Sequence, residues 1–324
     1  MVKLFYEATM KYLERKPQNN MSKEVCLLII YNHRYDANIE KLEKIYGTRF
    51  SNIYHIMPFY DGNKSNVIPV YECSFRFQGY VTQAMQLIRE RYEQYFFIAD
   101  DLILNPEINE LNYKDWFHVN GKNAFITFTK PLREMGGWAI NRRFMDPLPK
   151  FEWYSGTLWE KEIMPSEQAY SIAKQKGYEK ERFLVDISMV WGARKKLKQY
   201  PRLLVLFFKI LLLGKQQCPY PVWGGYSDIF IIPGEKMKEI SHMLGVFAAM
   251  GLFVEMAIPT TLQLLCENVI EVKNLAPSYG KSLWSLTDKE SIGSQYNFNY
   301  KTLEDNWEKN CLYIHPVKLS KWEV

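Results

Sequence analysis

The segment YFFIADDLILNP, Tyr95 to Pro106, sets two adjacent carboxylates, Asp100 and Asp101, directly after an apolar run. Neighbouring carboxylates repel and each resists leaving water, so a pair at the end of a buried strand needs a compensating cation or strong hydrogen-bond donors. Three arrangements answer that need. They are a bound divalent metal, a helix N-terminus just beyond, or solvent at a sheet edge with one aspartate capping the next turn. A preceding strand that reads as central favours the metal.

The elements that must position this pair follow from periodicity. EVCLLIIYNH is a continuous apolar run with β-branched residues and predicts a central strand. DANIEKLEKIYG predicts a helix, with Asp36 as N-cap, Ile39, Leu42 and Ile45 at helical spacing and Gly47 as the stop. NIYHIMPFYDG predicts a second strand ending in a turn at Asp61 and Gly62, and YVTQAMQLIRERYEQ a second long helix. The order βαβ, then αβ, leaves the acid pair at the carboxyl end of a strand, where open α/β sheets take ligands. Further on, NAFITFTKPL reads as a strand, SEQAYSIAKQKGY as a helix and YPVWGGYSDIFIIPGEKMKEISHML as a strand and helix. GLFVEMAIPTTLQLL reads as a helix entered near Pro259 or slightly before, and CLYIHPVKLSKW as a short strand leading into a polar loop.

Composition sets the outer limits. The 324 residues suit one large α/β domain or two lobes sharing a cleft. Hydrophobic residues at 47% and charged residues at 24% exclude disorder, and a net charge of +5 is too small to imply nucleic acid. The five cysteines, Cys26, Cys73, Cys218, Cys266 and Cys311, are widely spaced and suggest neither a disulfide framework nor zinc, so a reducing cytoplasmic setting is expected. The first 21 residues read as a short amphipathic helix, not a secretory signal. LLVLFFKILLLG, with Lys209 inside it, is too short for the roughly 20 residues a span requires.

With these residues in view, the chain resembles nucleotide-sugar glycosyltransferases of the GT-A type. Four features carry the resemblance: the acid pair of FIADDLILNP, similar to the family's DxD motif with Ala99 in place of its first acid; the βαβ start ending in IIYNH; GGYSDIFIIP followed by GLFVEMAIPT; and HPVKLSKW near the carboxyl end. The resemblance implies an α/β, Rossmann-like GT-A fold with a mixed central sheet flanked by helices. It also implies a nucleotide-sugar-binding half over 22–130 and an acceptor-binding half over 131–324, interrupted by a helical basic and apolar insertion at about 192–217. A bacterial surface-polysaccharide role suits such a chain.

For the site, the resemblance implies that Asp101 and His315 hold Mn²⁺ or Mg²⁺ together with phosphate oxygens, that Asp100, at the motif's middle position, belongs to the donor-binding set, and that Lys318 meets the donor's diphosphate. An ion there neutralises the departing diphosphate as the glycosidic bond breaks, and lets both aspartates stay charged. Glu255, in the apolar setting LFVEMAIP, reads as an acceptor-binding group or general base, or else as a helix N-terminal acid or partner of Arg142 or Arg143. Asp228 is a second candidate, because the glycines before it would admit a ligand. Tyr31 could stack on the base, Asn32 bond to it or to the ribose, Asp61 read an imide N–H, and Arg76 meet the phosphates; each residue type is also common in turns or surface pairs.

ARKKLKQYPRLLVLFFKILLLGK places Arg194, Lys195, Lys196, Lys198 and Arg202 before a block of Leu, Val, Phe and Ile. The pattern fits a surface over 194–214 meeting anionic headgroups, hence a lipid-linked acceptor and a peripheral place on the inner membrane face. A buried helix and a homodimer interface fit it equally. The expected activity is transfer of a sugar from a nucleotide diphosphate donor, a UDP-sugar by preference, to a glycan or lipid-linked glycan. The alternatives are a sugar-phosphate nucleotidyltransferase, although YNHRYDANIE lacks a glycine-rich phosphate loop, and a scaffold that has kept the fold without turnover.

Overall fold

The computed structural model describes residues 23–135, 159–179, 220–283 and 285–324, with single positions 201, 204, 205, 208 and 212 between them. The expected N-terminal helix, Arg142, Arg143 and the basic residues 194–198 and 202 lie outside these residues.

Strand β1 (Lys23–Ile30) opens the fold with its last six residues buried. Its side chains alternate between two cores: Cys26, Leu28 and Ile30 enter one, Val25, Leu27 and Ile29 the other. Burial on both faces is what the unbroken apolar run required. Helix α1 (Ala37–Tyr46) buries Ile39, Leu42 and Ile45 as their spacing demands. Asp36, expected as its cap, makes no side-chain capping bond; its carboxylate instead takes Arg34 at 2.9 and 3.0 Å. Strands β2 (Ile53–Pro58) and β3 (Val67–Val70) then extend the sheet in parallel.

Helix α2 (Gln78–Leu87) is shorter than its sequence pattern, which ran on through Gln94. The chain turns extended at Ile88 (ψ 108°), and strand β4 (Tyr92–Ala99) starts where Tyr92 pairs with Lys23. Tyr92 and Gln94 are buried while Glu93 is exposed, an alternation of period two that the charged RERYE run hides. After the acid pair come β5 (Ile103–Leu104), α3 (Tyr113–Phe117), β6 (Ala124–Ile126) and β7 (Thr129–Pro131), so NAFITFTKPL is two short strands. Helices α4 (Trp159–Glu162) and α5 (Ser166–Gln175) follow. Of the expected insertion only the five single positions are described, and all are helical.

Strands β8 (Trp223–Gly225) and β9 (Ile229–Pro233) lead into α6 (Met237–Ala249) and α7 (Val254–Leu265). Helix α7 starts at Val254 and carries Pro259 inside it. The final elements are β10 (Val269–Ile270), β11 (Tyr279–Ser282), α8 (Leu286–Gln295), α9 (Tyr300–Asp305) and β12 (Cys311–His315).

The main sheet has seven strands in the order β10-β6-β9-β4-β1-β2-β3. Strand β9 runs antiparallel between β4 and β6, while β4, β1, β2 and β3 are mutually parallel. The fold is thus α/β with a mixed central sheet flanked by helices, in a Rossmann-like arrangement. Phe97 and Phe230 stack across the β4–β9 junction at 4.6 Å, and this junction joins residues from both sides of position 130 into one sheet. A second sheet, β11-β12-β5, carries the chain's last strand. No helix among the described residues is long and apolar enough to cross a membrane.

Candidate active site at the carboxyl end of strand β4

Three backbone connections converge just beyond β4. The Asp100 amide donates to Ile30 at 2.9 Å, fixing the acid pair beside the end of β1. The Ala99 amide donates to Asp228 at 2.8 Å, which brings the short segment between β8 and β9 to the same point. Strand β12 runs antiparallel to β5, with Ile314 opposite Ile103, and the Val317 amide donates to the Asp101 carbonyl at 2.7 Å. A strand more than two hundred residues away in sequence is therefore registered on the acid pair by its backbone.

The side chains complete the arrangement. His315 Nε2 lies 3.0 Å from Asp101 Oδ1, and His315 Nδ1 meets the hydroxyl of Tyr226. The Tyr226 hydroxyl also stands close enough to the Asp228 carboxylate to lower its pKa. Asp100 is buried, bonded by Asn38 Nδ2 at 3.1 Å and by the Asn32 amide. Burial first, and the Asp101 charge second, push the Asp100 carboxyl up to about 7; Asn38, the Asn32 amide and His315 pull against that rise. Asp228 is likewise raised, by burial and then by Asp101, against the opposing pull of His315 and Tyr226. Asp101 keeps 29% of its side chain exposed, so it is the member of the pair that a ligand can reach.

The structure brings some expected residues together and separates others. Asp100, Asp101, Asp228 and His315 share one cluster. Glu255 is half-buried in the first turn of α7, near enough for its charge to act on Tyr226. Pro259, lacking an amide hydrogen, cannot bond back to the Glu255 carbonyl as a helical residue would. Lys318 is exposed one residue beyond the Val317–Asp101 bond. Asn32 is exposed and meets the cluster through its backbone amide.

Tyr31, expected to stack on a base, is 0% exposed and bonds to His55 Nδ1 at 2.9 Å. It continues the odd-numbered face of β1 into the core, so its ring cannot receive a ligand. Asp61 is held by Arg34 at 2.6 Å, and that guanidinium keeps its carboxyl below the usual range; its acceptor oxygens are shared with a cation. Arg76 pairs with Glu72 at 3.1 Å, beyond edge strand β3. The glycines before Asp228 admit protein and not ligand. A Cβ on Gly225 would meet the Phe128 carbonyl at 2.3 Å, and one on Gly224 would meet Met135.

The sequence reading missed Tyr226, Asn38 and Phe59. Phe59 directly follows β2 with φ +57°, a left-handed conformation uncommon for a bulky residue, and is 58% exposed. Its ring meets exposed Tyr71 edge to face at 5.9 Å. β2 lies two strands from β4 in the sheet, and Phe59 follows its carboxyl end as the acid pair follows that of β4. The signal available in the sequence was an aromatic residue at a strand end just before the DG turn. A cavity of about 880 Å³ lies instead at the amino end of β4, lined by Arg91, Tyr92 and Lys238 among others, away from this cluster.

Among the described residues, no group of three or more His, Cys, Asp or Glu side chains is placed to hold a metal ion. The donor set at the crevice is one carboxylate oxygen and one imidazole nitrogen. That set fits Mg²⁺ or Mn²⁺ bound jointly with phosphate oxygens and water, which needs only one or two protein ligands. Searches of protein-family models, curated proteins and solved structures find no match to this chain.

Proposed function

We propose that the chain is a GT-A glycosyltransferase that moves a sugar from a nucleotide diphosphate donor, a UDP-sugar by preference, to a hydroxyl of a glycan or lipid-linked glycan. One observation carries the reading: His315 stands 3.0 Å from Asp101 in the crevice outside the carboxyl ends of parallel strands. Asp101 and His315 would hold Mn²⁺ or Mg²⁺, which supplies positive charge to the departing diphosphate. Lys318 adds an ammonium on the same side, and Asp100, buried behind Asp101, is held there by Asn38.

The exposed ring of Phe59 offers the base a stacking surface, the role that buried Tyr31 cannot fill. Of the two further carboxylates, Glu255, half-buried in the first turn of α7, is the group assigned to take the acceptor's proton. Val205, Phe208 and Leu212, all exposed on helical positions, support a greasy acceptor or membrane surface.

Calorimetry with UDP and GDP, with and without Mn²⁺, tests the reading. Nucleotide binding tightened by Mn²⁺ in the native protein, and lost tightening in Asp101→Asn, is the expected result. Absence of nucleotide binding under every condition would leave only the scaffold alternative.

A further inference from the structure

We infer that the cavity at the amino end of β4 is a second ligand site, one that takes a small molecule through its phosphate groups. It lies at the opposite end of the sheet from the acid pair, with the eight residues of β4 between them, or about 23 Å at the rise of an extended chain. A ligand held there does not touch Asp101. Nothing in this site depends on the cation chemistry proposed at the other end.

The sheet topology gathers the cations. Because β9 runs antiparallel between β4 and β6, the start of β4, the end of β9 and the start of β6 share one edge, with Gln94 opposite Pro233 and Phe125 opposite Ile231. Arg89 and Arg91 stand in the link before β4, Lys122 in the turn before β6, and Lys238 in the first turn of α6, which follows β9. All four line the cavity, which measures about 880 Å³. That volume is in the range of small-molecule sites and suits a phosphorylated compound of sugar or nucleotide size.

The charges on the wall do not balance. Three carboxylates line the cavity, and two are already answered: Glu90 takes Lys23 at 3.2 Å and Glu93 takes Lys114 at 2.9 Å, and neither lysine belongs to the wall. Glu235 is the third. Against it stand Arg91, Lys122 and Lys238, whose side chains form no ion pair with any described residue. Like charges sharing one wall repel, and a bound anion relieves them. Lys238 also opposes the positive end of the macrodipole of α6, so helix stability does not explain its place.

Backbone contacts fix the walls. A Cβ on Gly234 would run into the Tyr92 carbonyl, so the lead into α6 lies directly against the start of β4. Gln94 Nε2 donates to the Asn123 carbonyl at 3.2 Å and ties the turn that carries Lys122 to the same strand. Buried Ile88, Tyr92, Tyr95 and Met237 form the floor, while the cations stand exposed above it. A low-dielectric floor of this kind focuses the field of the cations on the cavity. Arginine adds a planar fork that meets two phosphate oxygens at once.

The test is calorimetry of the full chain with inorganic triphosphate, without divalent metal, repeated on the triple variant Arg91→Gln, Lys122→Gln, Lys238→Gln and on Lys318→Ala. The three replaced residues are exposed, so the triple variant is expected to fold as the native chain does. The expected result is a fall of about 10- to 100-fold in triphosphate affinity in the triple variant, as three exposed charge contacts are lost, and native affinity in Lys318→Ala. Acetylation of Lys122 and Lys238, read by mass spectrometry, is expected to slow when triphosphate is present.

Sedimentation with vesicles containing phosphatidic acid then separates the two sources of such a phosphate. Capture that the triple variant loses assigns it to a lipid headgroup; capture that is absent, or unchanged in the variant, assigns it to a soluble molecule. Failure of the native chain to bind triphosphate, or an affinity that the triple variant keeps in full, overturns the site.

Discussion

His55 gives the sharpest quantitative test of the core beneath the crevice. It is fully buried in β2, where its Nδ1 holds the Tyr31 hydroxyl and its Nε2 stands 3.8 Å from Glu43. Burial lowers its pKa from 6.5 to about 4, against the opposing pull of Glu43. The unfolded chain therefore takes up a proton at this position between pH 6.5 and 4 that the folded chain refuses. Stability contributed by the neutral ring is complete above pH 6.5 and declines as pH falls through that window. At about 1.4 kcal/mol per unit, the loss between pH 7.5 and 4.5 is about 2–3 kcal/mol from this residue alone.

Carboxylates protonating in the same range add slopes of their own, so the quantity to measure is the difference between the native protein and His55→Gln. Urea unfolding at the two pH values should show the native protein losing about 2–3 kcal/mol more than the variant, even though the variant starts lower for want of packing. A proton-resonance titration of the His55 ring should give a midpoint near 4. A pH dependence equal in the two proteins, or a midpoint near 6.5, would refute the account of His55 as a neutral buried acceptor.

Two further outcomes concern the donor. Phe59→Ala should weaken binding of both UDP and uridine by about 5- to 100-fold, since base stacking on an aromatic ring is worth about 1–3 kcal/mol; calorimetry on the pair of ligands reads this directly, and unchanged affinities would return the ring to surface packing. Lys318→Ala should weaken UDP by about tenfold and leave uridine unaffected, because an ammonium acts on phosphate and not on the nucleoside. Equal loss for both ligands would place Lys318 elsewhere.

Much of the architecture was legible in local pattern. The unbroken run of β1 announced burial on both faces, and Ile39, Leu42 and Ile45 announced the buried side of α1. The parity of β1 was legible as well: Tyr31 shares it with Leu27 and Ile29, so its burial follows from alternation that the expectation of a base-stacking role passed over. The end of α2 was obscured because Arg89, Glu90 and Arg91 suit a helix surface as well as a turn.

What could not be read was placement across the sheet. Nothing in FIIP states that β9 inserts antiparallel between β4 and β6, since that choice is made by tertiary pairing. Residue types at the site were visible at Asp101 and His315. Tyr226 and Asn38 were not, because their roles arise from which neighbours the backbone delivers: Asn38 is an ordinary helix-start residue until α1 is set against the end of β4.

The docking of β12 on β5 has a temporal side. The imidazole and the acid pair stand 214 positions apart in the chain, and β12 belongs to the smaller sheet. Synthesis delivers β1 to β4 long before His315 leaves the ribosome, so the nascent protein first exists with Asp101 lacking its imidazole partner. Lys41, on α1, grips the tail through the carbonyls of Leu319 at 2.9 Å and Trp322 at 2.6 Å. Folding of β12 onto β5 is thus the step that brings the imidazole to Asp101, and the Lys41 bonds hold the segment after it against α1.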